Sequence, residues 1–240
     1  MSPDLVQQEY YVSFNAGVEG AFYCKYIDKM RLNNQIGIVP WEAGFKVHTA
    51  WDIGVRDSTS IIFFQCIGHT VRIIDYYEKN KEGLEHYVNH VLSKDYTYGK
   101  HIAPHDIQVK EFGSGMTRID KARQLGVNFT VASKISIMDG IESVRSALSK
   151  IWIDEHKCIK LIRALENYRQ EYDTKRQVYK DTPLHDKYSH AADCMRYLCI
   201  SLPKTRDGMS ASDLDKMHAE AVYGNQSGLP AFFSDGMPKF

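Results

Sequence analysis

Three aspartates lie far apart in the 240-residue chain; Asp52 stands where a carboxylate needs a reason, while Asp106 after Pro104 could equally initiate an Asx-turn and Asp193 could lie on a solvated helix face. In HTAWDIGVRDSTSIIFFQ, residues 48 to 65, Asp52 sits at the mouth of the apolar run Ile61-Ile62-Phe63-Phe64. Desolvating a lone carboxylate is costly or moves its pKa, so something must compensate Asp52 there. In KHIAPHDIQ, residues 100 to 108, Asp106 stands where a short strand ends, and Asp193 lies in PLHDKYSHAADCMRYL together with Asp186 and His190. Carboxylates gathered from three elements bind hard divalent cations, Mg2+ or Mn2+, which take oxygen ligands and water. Two such ions about 3.5–4 Å apart activate a water and stabilise the leaving oxygen of a phosphodiester.

The surrounding pattern predicts elements that bring these residues to one place. Lys46 to Val55, Thr59 to Ile67 and Thr70 to Glu78 are β-rich runs, the last two joined by a turn at Gly68-His69, so two or three antiparallel strands are expected. A helix follows from Glu82 to Leu92, then a strand ending at Pro104 to Asp106, a short basic helix stopping at Gly126, and a strand over 127–133. Ser136, three residues before Asp139, forms an acidic variant of the capping box for a helix whose apolar face runs from Ile141 to Trp152. Further helices are expected from Cys158 to Tyr168 and from Thr182-Pro183 to Ser201. On the last of these, Asp186, His190, Asp193 and Tyr197 form one stripe, opposite the apolar Ala191, Met195, Leu198 and Cys199. The order is α/β with an antiparallel start, and Asp52, Asp106 and Asp193 fall at element positions that can converge at one sheet edge.

Composition narrows the classes. Thirty basic and thirty acidic residues balance, so no global field announces a polyanionic partner. Five cysteines form no CxxC pair and leave one over, which argues against a disulfide framework or a cysteine zinc site and fits a reducing cytosol. No apolar stretch has the length of a membrane span, and no signal-peptide pattern opens the chain. His86 and His90 have the spacing of a helical zinc pair, but without an acidic partner they are read as a solvated face.

Four blocks carry a resemblance. AWDIGVRDSTSIIFFQ, APHDIQVKEFGSGMTRIDKARQLG and PLHDKYSHAADCMRYL resemble blocks of the C-terminal nuclease domain of the large terminase subunit of tailed bacteriophages, and EYYVSFNAGVEGAFYCKYIDK resembles the stretch joining its ATPase domain to that nuclease. The matches span roughly residues 8 to 202 in the family's order. The resemblance implies an RNase H-like (retroviral-integrase-like) fold, a mixed central sheet flanked by helices. It also implies low-specificity cleavage of double-stranded viral DNA during genome packaging in the bacterial host cytoplasm, with two divalent cations, Mg2+ or Mn2+. Asp52, Asp106 and Asp193 correspond to its catalytic metal ligands. Asp57, His105, Asp186 and His190 are alternative ligands or supports, the third ligand being the least settled position. The implied partners are DNA, the terminase ATPase domain, the portal protein and the small terminase subunit.

On this resemblance residues 1–47 are expected to be an arm or linker from a preceding ATPase domain, 48–202 the nuclease and 203–240 a flexible tail. No G-x-x-x-x-G-K-[ST] is present to cradle ATP phosphates, so the chain is expected to be the nuclease half. Lys110, Arg118, Lys121, Arg123, Lys134 and Arg145 follow or flank the second acidic block and are candidate phosphate contacts; elsewhere they would be an ordinary solvated face. Two rival functions remain at this point: a Holliday-junction resolvase or integrase-like nuclease on the same fold, and a non-catalytic DNA-packaging interaction module.

Overall fold

The computed structural model describes residues 18–54, 58–109 and 115–203. They form a seven-stranded sheet in the order β1-β7-β4-β3-β2-β5-β6, with a separate two-stranded hairpin, β8-β9. The strands are β1 (Ile36–Gly37), β2 (Val47–Asp52), β3 (Ser58–Ile67), β4 (Thr70–Asn80), β5 (Tyr98–Ala103), β6 (Phe129–Val131), β7 (Ile151–Asp154), β8 (Gln170–Asp173) and β9 (Val178–Pro183). The helices are α1 (Cys24–Leu32), α2 (Leu84–Leu92), α3 (Arg118–Gln124), α4 (Ile137–Ala147), α5 (Ile159–Asn167) and α6 (Ser189–Ile200).

β2, β3 and β4 are antiparallel, whereas β5, β6 and β7 join them in parallel fashion: β2 with β5, β5 with β6, β4 with β7. The sheet is therefore mixed and covered by helices on both faces, as expected from the sequence. β3 lies at its centre, which explains the unbroken apolar run. Ile62 and Phe64 face one core with α1, α4, α5 and α6, while Ile61 and Phe63 face the other with α2 and α3. A strand covered on both faces has no solvated side on which to alternate. Each such fully buried Ile or Phe contributes about 1.5–3 kcal/mol relative to exposure.

Several sequence expectations need correction. The helix predicted through Trp152 ends at Ala147, and Ile151–Asp154 is instead strand β7. Its capping is as expected: Ser136 Oγ accepts from the Asp139 N–H at 3.0 Å. The final helix starts at Ser189 rather than near Pro183, because residues 170–183 make the hairpin β8-β9. Segment 18–47, expected as an arm, is in its described part tied into the domain: β1 pairs with β7, and Tyr23, Ile27 and Met30 of the α1 region are buried in the main core. Asp57, Lys110, residues 1–17 and the tail from 204 lie outside the described residues.

Candidate metal centre and its comparisons

Asp52 is the last residue of β2, and its Cα partner on β3 is Ser60. Since β2 and β5 are parallel, Ala50 standing opposite Ile102, both strands deliver their carboxyl ends to the same side of the sheet. There β5 runs through Pro104 into a short 3-10 helix, His105–Gln108, that carries Asp106. Among the described residues no side chain caps this turn; His105 and Asp106 are exposed, and Ile107 is buried as the anchor. The carboxyl ends of parallel strands are the usual place for ligands in open α/β sheets.

The third aspartate arrives on α6, which crosses β2 and β3. Ala191 and Ala192 are buried and small, letting the helix approach the sheet closely. Cys194 is buried beneath Asp52, and its thiol donates to Ala50 O at 3.0 Å and Ser60 O at 3.5 Å, tying the helix to both strands. Burial pushes that thiol well above its ordinary pKa, so it is a packing group and not a nucleophile. This seat puts His190, one turn before Cys194, with Nδ1 3.1 Å from Asp52 Oδ2.

Asp193 and Asp106 both bear on the electrostatics of Asp52. Burial pushes the Asp52 carboxyl from 3.8 up to about 6; His190 opposes the shift, and the nearby charges of Asp193 and Asp106 add to it. Tyr197, on the same helix, is likewise raised above the usual phenol range by burial and by Asp52, Asp193 and Asp106. Like charges held together in a partly desolvated place are costly without a cation. Oxygen donors alone, without sulfur, suit Mg2+ or Mn2+.

Among the described residues, however, no three His, Cys, Asp or Glu side chains close into a metal cage. Two of the carboxylates have protein partners: Asp52 has His190, and Asp193 has Arg196 at 2.7 Å. Asp186 serves the chain locally, its Oδ1 accepting the Tyr188 N–H at 2.8 Å in the turn that leads into α6. The charge and donor chemistry fit a hard cation; the ligand geometry would have to close around it.

The basic candidates separate. Arg118 opens α3, which follows the Asp106 turn in the chain, and Lys134 is exposed just after β6, which parallel pairing with β5 brings to the same end of the sheet as Asp106. Lys121 lies farther along α3, and Arg123 pairs with Asp120 at 3.2 Å. Arg145 is committed elsewhere: it donates to Phe22 O at 3.1 Å and to Glu142 at 2.5 Å, with its guanidinium over the Phe22 ring. His86 and His90 engage Tyr77, the first through a 2.8 Å hydrogen bond and the second by stacking. Arg196 was missed by sequence reasoning, although Asp193 three residues earlier on a helix is a recognisable pairing signal.

No family model matches the chain. It is 25% identical over 215 residues to the large terminase subunit of Escherichia phage T5, covering 85% of this chain and 47% of that protein. The chain thus spans about half the length of this curated relative. Among solved structures, the nuclease domain of the P22 large terminase aligns with a TM-score of 0.54 at 17% identity, over 70% of this chain and 87% of that one. The large terminase nuclease of thermophilic phage G20c with bound cobalt aligns with a TM-score of 0.50 at 14% identity, over 75% and 98% of the two chains. The resemblance drawn from the sequence blocks stands on both kinds of comparison: this chain is similar to the large terminase subunit of tailed phages in sequence, and it has the RNase H-like fold of terminase nuclease domains.

Proposed function

We propose that the chain is a metal-dependent endonuclease that cuts double-stranded viral DNA, with low sequence specificity, during genome packaging. The observation that supports this reading is that Asp52, at the end of β2, feels the charges of Asp106, just past the parallel strand β5, and of Asp193 on α6. A cobalt-bound terminase nuclease of the same fold supports the metal. Asp52, Asp106 and Asp193 are the ligands in this reading, of two Mg2+ or Mn2+ ions, which when bound polarise water and stabilise charge developing on the phosphodiester.

The protein's own contributions follow from the geometry. Asp52, fixed by its strand, sets the floor of the site, and the buried Cys194 and alanines hold α6 so that Asp193 stays on the same side. His190 holds the Asp52 carboxylate through Nδ1 and would compete with a bound cation for that oxygen. Asp106, on an exposed turn beside His105, is the member best placed to face DNA. Arg118, on the helix after that turn, and Lys134, at the same end of the sheet, offer charge to the phosphate backbone, which positions DNA without reading its sequence. The partners proposed with DNA are a terminase ATPase domain, the portal and the small subunit, and the setting is the bacterial host cytoplasm. No helix among the described residues is long and apolar enough to cross a membrane. For the domain plan, 48–202 remains the proposed nuclease, with segment 18–47 packed against it and 203–240 as a tail.

The test is nicking of supercoiled plasmid in Mn2+ and in Mg2+, with EDTA as control, for wild type beside Asp52→Asn, Asp106→Asn and Asp193→Asn. Metal-dependent linearisation lost in all three variants supports the reading. Folded wild type that cuts nothing and shows no metal-dependent rise in melting temperature rejects it, since a ligand bound only by the native state must stabilise that state.

A further inference from the structure

Arg196 is a buried cation for which the carboxylate reading alone has no use. Its side chain is 8% exposed, and both Nε and Nη2 reach one oxygen, Oδ1 of Asp193, at 3.0 and 2.7 Å. It is walled in. Across the helix interface a Cβ built on Gly140 of α4 would lie 3.1 Å from Arg196 Cδ and 3.2 Å from Nη1. The guanidinium also lies over the Tyr197 ring, 5.5 Å from its centroid. So buried a guanidinium cannot reach DNA, and it cannot coordinate a cation.

We propose that Arg196 is a positioning residue for metal binding. By fixing Oδ1 of Asp193, it sets the direction in which the other carboxylate oxygen is presented, and Gly140 is the space that lets it do so. The proposal rests on Asp193 being a metal ligand. Arg196 offers five donors in a rigid fork, and lysine, with one rotatable ammonium, would hold the charge without the orientation. Residues standing behind metal ligands in this way characteristically govern affinity about 10–100-fold.

The experiment is calorimetric titration of the full chain with Mn2+, for wild type, Arg196→Lys, Gly140→Ala and Asp193→Asn, with metal-free melting and steady-state cleavage measured alongside. Arg196→Lys is expected to weaken Mn2+ binding about 10–100-fold. It should leave the KM for plasmid unchanged and recover most of kcat at saturating Mn2+. Gly140→Ala separates positioning from folding, because alanine in a helix interior ordinarily stabilises relative to glycine. It should weaken Mn2+ binding severalfold in folded protein, with metal-free melting reporting separately the balance of the helix gain against crowding at Arg196. If Asp193→Asn loses Mn2+ affinity but Gly140→Ala and any folded Arg196→Lys bind like wild type, Arg196 is merely packed and the proposal fails. Should Asp193→Asn itself bind Mn2+ normally, the ligand reading of Asp193 falls and takes this proposal with it.

Discussion

Asp52 and Asp154 both end buried strands of the same sheet, yet the molecule treats them oppositely. Asp154 is surrounded by donors: Oδ2 accepts the Val39 N–H at 3.1 Å, and Oδ1 accepts those of His156 at 3.1 Å and Lys157 at 2.8 Å. It closes the turn after β7 and stitches the chain after β1 to it. Asp52 is held instead by the side chain of His190, with two like charges nearby. Asp154 is satisfied by backbone donors of its own chain, whereas Asp52, in the proposed reading, is left short of positive charge until a ligand supplies it.

The comparison breaks first on activity. Asp52→Asn is expected to reduce metal-dependent plasmid cleavage at least about a hundredfold, because metal-borne charge stabilisation amounts to several kcal/mol and each 1.36 kcal/mol is a factor of about ten. Asp154→Asn should keep its cleavage rate per folded molecule. Comparable losses in both variants, measured as initial linearisation rates normalised to folded protein, would erase the distinction.

Stability should move the other way. Asp154→Ala strands buried N–H groups and should cost about 1–3 kcal/mol in chemical denaturation. Asp52→Asn removes a desolvated charge and should raise metal-free stability at neutral pH by up to about 3 kcal/mol, from a displacement of about two pK units. The sign follows from proton counting. Asp52 ionises near 3.8 unfolded and near 6 folded, so between these values the native state holds more protons. Its contribution is therefore most favourable below about pH 4 and is lost as pH rises through about 6. The gap between Asp52→Asn and wild type in metal-free urea titrations should accordingly open from about pH 4 to about pH 7. A gap independent of pH would show that Asp52 carries no such shift.

The sequence revealed this contrast unevenly. Asp52 was legible because a charge beside an unbroken apolar run is anomalous in a strand buried on both faces. Asp154 was hidden because β7 itself was hidden: Ile151 and Trp152 continue the spacing of the preceding helix, and a short apolar run does not separate strand from helix by period. The hairpin β8-β9 was missed for a different reason. Its residues Gln170–Asp173 and Val178–Pro183 are largely polar and half or fully exposed, so no alternation marks them. β1, two residues long, is too short to present a period, whereas the short helical stretch expected near Ala21 to Leu32 is α1; partners more than a hundred residues away set the place of both. Arg196 reads as one polar interruption in an apolar helix until the packing of α4 is known.

Arginines and lysines repeat the contrast at smaller scale, and the last prediction uses them. Arg145 is engaged inside the molecule by Phe22 O and Glu142, while Lys134 stands exposed at the edge that holds Asp106. A side chain that neutralises a DNA phosphate releases counterions, so its removal should flatten the dependence of log affinity on log salt by about 0.9 for each phosphate no longer neutralised. The double variant Arg118→Gln, Lys134→Gln should therefore bind duplex DNA more weakly and with a shallower slope, read by fluorescence anisotropy in Ca2+ across a salt series. Arg145→Gln should leave the slope unchanged and instead lower the melting temperature, because it strips a donor from the Phe22 carbonyl. If the slope changes with Arg145 and not with the other pair, DNA approaches by the α1–α4 side, and the carboxyl-end edge of the sheet loses its claim to be the DNA-facing one.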